Sequence, residues 1–350
     1  MRHVRTEITQ DHANMRILPL FGDTFGALAF GVMKVLPAAA ILGKGLQSGE
    51  ISADTTIVET TSGTMGYGLA VVCNQLGLPL TLVGDSGFSA EFKAMLENLG
   101  AKIIIVDAPA NDGNIQAVRM AEVKRILAAG NAFWPHQYNN PVNRQAYAPA
   151  AQLVCRDFGR VDILVAPTGS GGVSGGLSAP LRALNPAMKL VGVDTFNSVL
   201  FGQKLGARAL RGLGNSMMPR NLLHEQFDHV HWLSANEAFQ ATRNLHRTTT
   251  LKRGPTSGAA YRVANFYAEK FPEKKVLAVF PDEGHRYESN VYNDAWLQAN
   301  GFDADDIAEG PHKVTHPVLA KGSWSWIDWH RRSLNRVLNP SVITEAGIMP

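Results

Sequence analysis

The sequence has little cysteine and little excess charge. Only two cysteines, Cys73 and Cys155, occur in 350 residues. Two cysteines are too few for a disulfide framework, so a reduced, cytoplasmic setting is the simpler interpretation. Lysine and arginine number 33 against 30 aspartates and glutamates, a net charge of +3. So small an excess argues against nucleic acid or an anionic membrane as the partner.

The chain also lacks a long uninterrupted apolar run. Its most apolar stretch, residues 25–42, contains Lys34 and Pro37, and a charge at that position is expensive in lipid. The first twenty residues mix arginine, glutamate, aspartate and histidine, unlike a secretory signal. We therefore expect a globular protein without a membrane segment. A lysine inside a buried stretch is unfavourable, so Lys34 needs a structural or functional explanation.

Apolar residues and a repeated strand–turn–helix rhythm are abundant. The hydrophobic fraction of 45% and the length of 350 residues are typical of two globular domains. Apolar segments predicted as strands, with helical patterns or glycine-rich turns between them, occur at residues 55–59, 78–83, 102–106, 161–166, 189–193 and 275–280. This alternation predicts an α/β fold of two doubly wound domains with parallel sheets.

The domain boundaries follow from changes in composition. The polar segment 139–149 contains two prolines and is a candidate crossing between domains. We expect a smaller, mobile α/β domain over residues 38–148 and a larger one formed by residues 1–37 with 149–310. Residues 311–350, where three tryptophans lie near His330, are expected to form an irregular tail.

The most informative chemical feature is a glycine-rich turn from Thr168 to Gly176, with glycines at 169, 171, 172, 175 and 176. It follows a predicted strand and begins a predicted helix, where free backbone N–H groups can hold a phosphate. Its spacing matches neither the dinucleotide fingerprint nor a Walker A loop. A tight strand–helix connection is the alternative, but five glycines exceed what a turn needs.

Two further features are ambiguous when taken singly. Residues 60–66, TTSGTMG, place hydroxyls and amides at a helix start, which suits a carboxylate but is also ordinary capping. Lys34 in an apolar run would have a lowered pKa and act as a nucleophile, or its head would reach water. Taken together with the glycine-rich turn, they supply an amine, a phosphate site and carboxylate donors, as a pyridoxal phosphate enzyme requires.

Seven motifs in the right order carry a family resemblance from Val32 to Tyr287. They are KVLP (34–37), TTSGTMG (60–66), QYNNP (137–141), GSGGV (169–173), GLGNSMMP (212–219), GPTSG (254–258) and PDEGHRY (281–287). In these motifs the sequence resembles the cysteine synthase / cystathionine β-synthase family of fold type II pyridoxal phosphate enzymes. The resemblance implies a tryptophan synthase β-like fold with a cofactor cleft between its two domains, and a homodimer.

The resemblance also implies roles for particular residues. Lys34 would be catalytic and would carry the cofactor. The other implied cofactor contacts are Thr64, Gly169, Ser170, Gly171, Gly172 and Thr256. The implied substrate contacts are Thr61, Ser62, Gly63, Met65, Gln137 and Gly214. No metal is expected, because His229 and His231, which could share a strand face, lack further ligands.

The departures from the family pattern bear on specificity. Thr64 and Met65 stand where the family has asparagine and threonine, and methionine donates no strong hydrogen bond. Val173 replaces a phosphate-loop threonine. Thr256, implied to lie opposite the pyridine nitrogen, would hold it protonated less firmly than a carboxylate does, which disfavours transamination and racemisation.

The implied activity is β-replacement on a serine- or cysteine-derived amino acid through an aminoacrylate intermediate, with Lys34 as general base. One alternative is a β-elimination lyase that releases a keto acid and ammonia. Another is a non-catalytic homologue that binds a partner through the tryptophan-rich tail, which the changes at Thr64 and Met65 favour and Lys34 disfavours. The nucleophile is left open among sulfide, a thiol, an amine and water.

Overall fold

A computed structural model describes residues 6–61, 63–107, 115–302 and 306–339. Its strands are β1 (Arg16–Phe21), β2 (Phe25–Ala29), β3 (Thr56–Thr60), β4 (Leu80–Asp85), β5 (Ala101–Val106), β6 (Ala132–Phe133), β7 (Ile163–Pro167), β8 (Lys189–Thr195), β9 (His229–Leu233), β10 (Val276–Phe280), β11 (His312–Lys313) and β12 (Trp324–Asp328). Its helices are α1 (Thr6–Ala13), α2 (Val35–Ser48), α3 (Thr64–Leu76), α4 (Ala90–Asn98), α5 (Ile115–Ala128), α6 (Val142–Gln145), α7 (Ala148–Asp157), α8 (Gly172–Leu184), α9 (Ala235–Thr249), α10 (Pro255–Lys270), α11 (Asp294–Ala299) and α12 (Leu334–Val337).

The described chain divides into two compact units. The first consists of the residues up to Met15 together with Gly31–Tyr147, and the second of Arg16–Phe30 together with the residues from Ala148 onward. Among the described residues, no helix is both long enough and apolar enough to cross a membrane.

The first unit is built on a parallel four-stranded sheet in the order β5-β4-β3-β6. All residues of β4 are buried, as expected for a strand covered on both faces. The apolar sides of α2 and α3 pack together with residues of β3 and β4 in one core, which contains Ile41, Leu69 and Leu82.

The second unit holds an eight-stranded sheet in the order β1-β2-β10-β7-β8-β9-β12-β11. Its five central strands, β2 to β9 in that order, are parallel, whereas β1 pairs antiparallel with β2 and β12 pairs antiparallel with β9. Helix α10 packs on the sheet, and residues such as Val263 and Tyr267 lie in its core. Parallel strands joined through helices occur in both units, so the predicted α/β fold class is confirmed.

The apolar stretch 25–42 is split between the two units. Its first part forms β2, all of whose residues are buried. Its second part enters α2, and residues 31–37 belong to the first unit, not with residues 149–310 as the sequence boundaries had it. The reason is local pairing, because Gly31 N–H donates to the Ala13 carbonyl at 2.8 Å and Val32 N–H donates to that of His12 at 3.0 Å.

The segment predicted as an irregular tail contributes strands to the large sheet. In β12, Trp326 lies opposite His231 of β9, and β11 pairs parallel with β12. Trp324 and Trp329 are buried. The physical reason is that β9, itself wholly buried, would otherwise leave an apolar edge of the sheet open. Residues 340–350 of the predicted tail lie outside the described part.

A buried hydrogen-bond chain ties β12 to β9 and α10. The Trp324 indole N–H donates to His231 Nδ1 at 3.0 Å, and because an indole only donates, His231 carries its proton on Nε2. That N–H lies 3.0 Å from the Tyr267 hydroxyl, which is 2.5 Å from His229 Nδ1. His229 Nε2 then lies 3.4 Å from Asp328. Burial lowers the pKa of both histidines, that of His229 to about 4, so both are neutral near pH 7.

Candidate active site

Lys34 immediately precedes α2 and occupies its N-cap position. Its side chain is partly exposed at the surface, but protein atoms surround it closely, and the resulting loss of water lowers its pKa to about 8. At that pKa a substantial fraction of the amine is neutral near pH 7–8 and can act as a nucleophile or base. Helix α3 approaches the Lys34 backbone closely, because a Cβ on Gly68 would lie 2.6 Å from the Lys34 carbonyl oxygen.

The loop before α3 places the predicted substrate residues in different environments. The Thr61 hydroxyl accepts from the N–H groups of Gly63 and Gly66, each at 3.1 Å, and donates to the Gly63 carbonyl. It therefore shapes the loop and has no capacity left for a ligand. The Met65 side chain packs in the apolar core of the first unit and has no strong hydrogen-bond donor to offer a ligand.

The remaining predicted loop residues differ from these two. Gly63 is the N-cap of α3, which begins at Thr64. The Thr64 side chain is half-buried and forms no hydrogen bond with the described residues, so it is available to a ligand. Ser62, the other predicted substrate contact, lies outside the described residues.

Gln137 comes back to this loop from 77 positions further along the chain. Its side-chain amide donates to the Thr60 carbonyl at 3.1 Å. The backbone carbonyl of Gln137 accepts a hydrogen bond from Asn143 Nδ2 at 2.6 Å. The structure thus brings two of the segments predicted to bind the substrate together, in the first unit.

Two buried charged residues that the sequence prediction did not assign hold this loop. Glu59, at the end of β3, accepts hydrogen bonds from the N–H groups of Thr60 at 2.9 Å and Gln137 at 3.0 Å. Burial raises the pKa of its carboxyl to about 7, and these hydrogen bonds oppose the rise. Arg119 donates to the Thr61 carbonyl at 3.0 Å and pairs with Asp85 at 3.1 Å. A charged residue ending an apolar strand is the signal that could have identified Glu59.

In the second unit, the glycine-rich turn links β7 to α8. Gly171 has a φ of +79°, and a Cβ there would lie 2.5 Å from the backbone of Leu222, so no other residue fits. Helix α8 begins at Gly172, and its first N–H groups are those that a helix leaves without intrahelical partners. The buried Ser170 hydroxyl lies beside them, 3.5 Å from the Gly172 nitrogen.

Gly212, Gly214 and Thr256 gather next to this turn. The Gly214 N–H donates to the Thr168 carbonyl at 2.8 Å. A Cβ on Gly169 would lie 3.5 Å from the Gly212 carbonyl, and a Cβ on Gly212 would lie 3.5 Å from the Thr256 hydroxyl. Thr256 is buried at the start of α10, and its hydroxyl has no hydrogen-bond partner among the described residues. The unit thus combines free helix-start amides, glycine-lined space and an unused hydroxyl.

These features fit pyridoxal phosphate. Helix-start amides and a serine hydroxyl suit a phosphate dianion, and a buried hydroxyl without a protein partner suits a ring nitrogen. A lysine of lowered pKa suits the aldehyde. Ser170, Gly171, Gly172 and Thr256 would hold the group in the second unit.

The histidines outside this site have other surroundings. His285 is exposed and lies between Glu283 and Glu288, at 3.9 and 3.7 Å. No group of three or more histidine, cysteine or acidic side chains among the described residues is arranged to hold a metal ion. Cys73 is buried in the core of the first unit.

Comparison with known proteins agrees with this chemistry. A family model described as "Pyridoxal-phosphate dependent enzyme" matches residues 26–282. The chain belongs to this family. The predicted cofactor is therefore confirmed, as is an enzyme of the cysteine synthase type.

Two curated relatives and one solved structure are similar over most of the chain. The N-(2-amino-2-carboxyethyl)-L-glutamate synthases of Cupriavidus metallidurans and Ralstonia nicotianae are 34% and 32% identical, each match covering 76% of this chain and 80% of the relative. An O-acetylserine-dependent cystathionine β-synthase from Helicobacter pylori is 28% identical with a TM-score of 0.74, covering 81% of this chain and 98% of that one. The predicted reaction class, β-replacement, is confirmed by this family membership and these relatives.

Proposed function

We propose that this enzyme joins the β-carbon of an O-activated serine to the amine of an acidic amino acid such as glutamate. The observation that carries the proposal is the pair of relatives named N-(2-amino-2-carboxyethyl)-L-glutamate synthase, at 34% and 32% identity. A 2-amino-2-carboxyethyl group is serine without its hydroxyl. The β-carbon–oxygen bond breaks, the leaving group keeps its electron pair, and a carbon–nitrogen bond forms as the amine loses a proton.

The charge of the segment around Gly214 supports an anionic co-substrate. Residues 195–224 contain no aspartate or glutamate, but they do contain Lys204, Arg208, Arg211 and Arg220. Arg208 braces the segment by donating to the carbonyls of Asn197 and Asn215. A local excess of positive charge raises the concentration of a dicarboxylate near the site and its rate of arrival.

Different residues of this chain have different roles in the proposed reaction. Bound pyridoxal phosphate supplies an electron sink for negative charge at the substrate's α-carbon. Lys34, whose lowered pKa leaves much of the amine neutral, takes the α-proton. Gln137, the Thr64 side chain and the backbone N–H groups of Thr64 and Met65 at the start of α3 bind the substrate carboxylate. In the second unit the start of α8 holds the phosphate, and the Thr256 hydroxyl faces the ring nitrogen.

The test is a product analysis with competing nucleophiles. The purified enzyme is incubated with O-acetyl-L-serine or O-phospho-L-serine and ¹⁵N-labelled glutamate, with and without sulfide. We expect a ¹⁵N-labelled diamino acid, identified by mass spectrometry, and no product from Lys34→Ala. If cysteine from sulfide is the main product when both nucleophiles are present, or only pyruvate and ammonia form, the amine-acceptor proposal is wrong.

We propose further that the enzyme is a cytoplasmic homodimer that acts on small amino-acid substrates. Both cysteines are free thiols, which supports a reducing compartment. The family resemblance supports the dimer. Light scattering after gel filtration is expected to give twice the chain mass of 37.9 kDa, and a single-chain mass at micromolar concentration would contradict the dimer.

A further inference from the structure

Glu59 is an unusual residue to find at the end of β3, because its side chain is fully buried. A buried carboxylate is expensive unless other groups satisfy it. No cation among the described residues pairs with it. Its two oxygens accept instead from three N–H groups, those of Thr60, Gln137 and the Trp134 indole, the last at 2.8 Å. The hydrogen bonds of this buried carboxylate therefore all go to Thr60, Trp134 and Gln137.

These bonds join two distant parts of the chain at the predicted carboxylate site. Glu59 binds the Gln137 backbone, and the Gln137 side chain returns to the Thr60 carbonyl at 3.1 Å. The peptide at Thr60 and the residue Gln137 are therefore linked in both directions. Asn143 fixes the Gln137 carbonyl from a third side. The direction of the Gln137 side chain is set by this frame.

The residue before Gln137 shows that the frame is under strain. His136 has a φ of +55°, a left-handed conformation that residues other than glycine adopt only at an energetic cost. Its ring stacks on Trp134 with centroids 3.9 Å apart. The turn at His136 precedes the N–H of Gln137, which donates to Glu59. Such strain persists where surrounding contacts determine the backbone, and Glu59 provides two of those contacts.

We propose that Glu59 is a positioning residue that fixes Gln137 and the Thr60–Thr61 backbone for binding the carboxylate of the amino-acid donor. This inference rests on the proposed role of Gln137 but not on the identity of the nucleophile. Only a carboxylate suits the position, because it presents acceptors to all three donors. An amide would turn its NH₂ group towards an N–H of either Gln137 or Thr60.

The variant Glu59→Gln keeps the size of the side chain and creates that donor–donor conflict. We expect KM for the amino-acid donor to rise about tenfold or more, as for the loss of a charge-assisted hydrogen bond, while kcat changes less than about threefold. Cofactor absorbance should be retained, since Lys34 and the α8 loop are untouched. The matched control is Glu97→Gln, an exposed glutamate of α4 in the same unit, whose one ion pair among the described residues is with Lys93 at 3.8 Å. We expect no change in this variant.

Two further readouts separate positioning from general support of the fold. In the cofactor-free protein, amide hydrogen exchange of peptides spanning residues 132–145 should accelerate in Glu59→Gln and not in Glu97→Gln. In Glu59→Gln combined with Gln137→Ala, KM should rise by less than the product of the two single effects, because part of the Glu59 effect passes through the Gln137 side chain. If Glu59→Gln does not fold, Glu59→Asp carries the same measurements.

An unchanged KM, additive losses in the double variant, or unaltered exchange would each overturn the inference. The outcome does not depend on which nucleophile the enzyme uses. Hydrogen exchange uses the protein without cofactor, and KM for the donor can be followed through whichever product forms, whether diamino acid, cysteine or pyruvate. Failure to form the diamino acid would therefore leave this test intact.

Discussion

At the scale of single residues, the reactivity of this enzyme begins with Lys34, a partly exposed lysine that protein atoms surround closely. Lys34 and Glu59 lie in the same unit, and burial moves both pKa values towards neutrality, that of the amine down to about 8 and that of the carboxyl up to about 7. Desolvation thus favours the uncharged form of each. For the lysine the uncharged form is the reactive one.

The first prediction concerns the pH dependence of cofactor uptake. The neutral amine of Lys34 attacks the aldehyde, so the rate at which the cofactor-free protein binds pyridoxal phosphate should rise with pH, with a midpoint near its pKa of about 8. The growth of cofactor absorbance after mixing at pH 6 to 9.5 measures it. Lys34→Ala should show no such phase, and a midpoint above 10 would mean that the amine is solvated.

The residue scale is also where sequence and structure differ most. Lys34, Gln137 and Thr256 could be predicted because each lies in a motif that the family resemblance carries. Arg119 could not, because its role depends on Thr61, 58 positions away. Glu59 was missed although a charged residue near the end of an apolar strand is a signal, because its partner Gln137 lies 78 positions away. For Thr61 and Met65 the predicted substrate contact stays a prediction, and it would have to use the backbone, because local capping occupies the Thr61 side chain and core packing that of Met65. Motif spacing does not show in which direction a side chain points.

At the scale of elements, the start of α8 depends on the exact shape of the turn before it. Gly171→Ala would introduce a Cβ at a φ of +79° and 2.5 Å from the Leu222 backbone. We expect it to destabilise the protein by about 1–3 kcal/mol and to weaken pyridoxal phosphate binding at least tenfold. Equilibrium binding and urea unfolding measure the two effects.

A matched control for this variant is Gly159→Ala in the same unit. Gly159 has nearly the same φ, +76°, and nothing within 4 Å of the added Cβ. It therefore carries the backbone strain without the collision, and it is not part of the turn. Equal cofactor affinity in the two alanine variants would show that the turn does not bind the phosphate.

The hydrogen-bond chain between β9, α10 and β12 predicts loss of stability in acid. His229 stays neutral in the folded protein down to about pH 4, whereas in the unfolded chain it takes up a proton below 6.5. The unfolded state therefore binds more protons in this window, and the free energy of unfolding falls as pH drops from 6.5 to 4, by up to about 3 kcal/mol for this histidine.

Urea unfolding at pH 7, 5.5 and 4.5 tests this pH dependence. His229→Gln should flatten it, although the variant is less stable at pH 7 because Tyr267 loses a partner. His285→Gln, which removes an exposed histidine, should leave the curve of the wild type unchanged. The same slope in all three proteins would assign the acid sensitivity to other groups.

At the scale of the whole molecule, the α/β fold could be predicted well from the sequence, whereas the strands after residue 310 could not. Six parallel strands, β3, β4, β5, β7, β8 and β10, stand out as apolar segments, and each lies within two residues of a predicted one. The parallel strands β2, β6 and β9 were not predicted as strands. Strand β12 was missed because WSWID is short and its partner β9 lies more than 90 positions earlier. Long-range pairing of this kind leaves no local pattern.

The position of β12 predicts that the chain does not tolerate truncation after Gly310. Such a deletion removes β11 and β12, opens the edge of β9 and exposes the apolar surface against which Trp324 packs. We expect an aggregating protein that binds hydrophobic dyes and lacks activity for structural reasons. A truncated chain that is monodisperse and active would show that this edge needs no cover.

The pairing of β2 has a consequence for how the protein folds while the ribosome synthesises it. This wholly buried strand lies between β1 and β10, and β10 is synthesised some 250 residues later. The first unit can complete its sheet once residue 147 has emerged, whereas the second must wait with an apolar strand paired on one side only. A nascent chain of this design spends most of its translation time needing protection, which makes it a natural client for chaperones that bind near the exit tunnel.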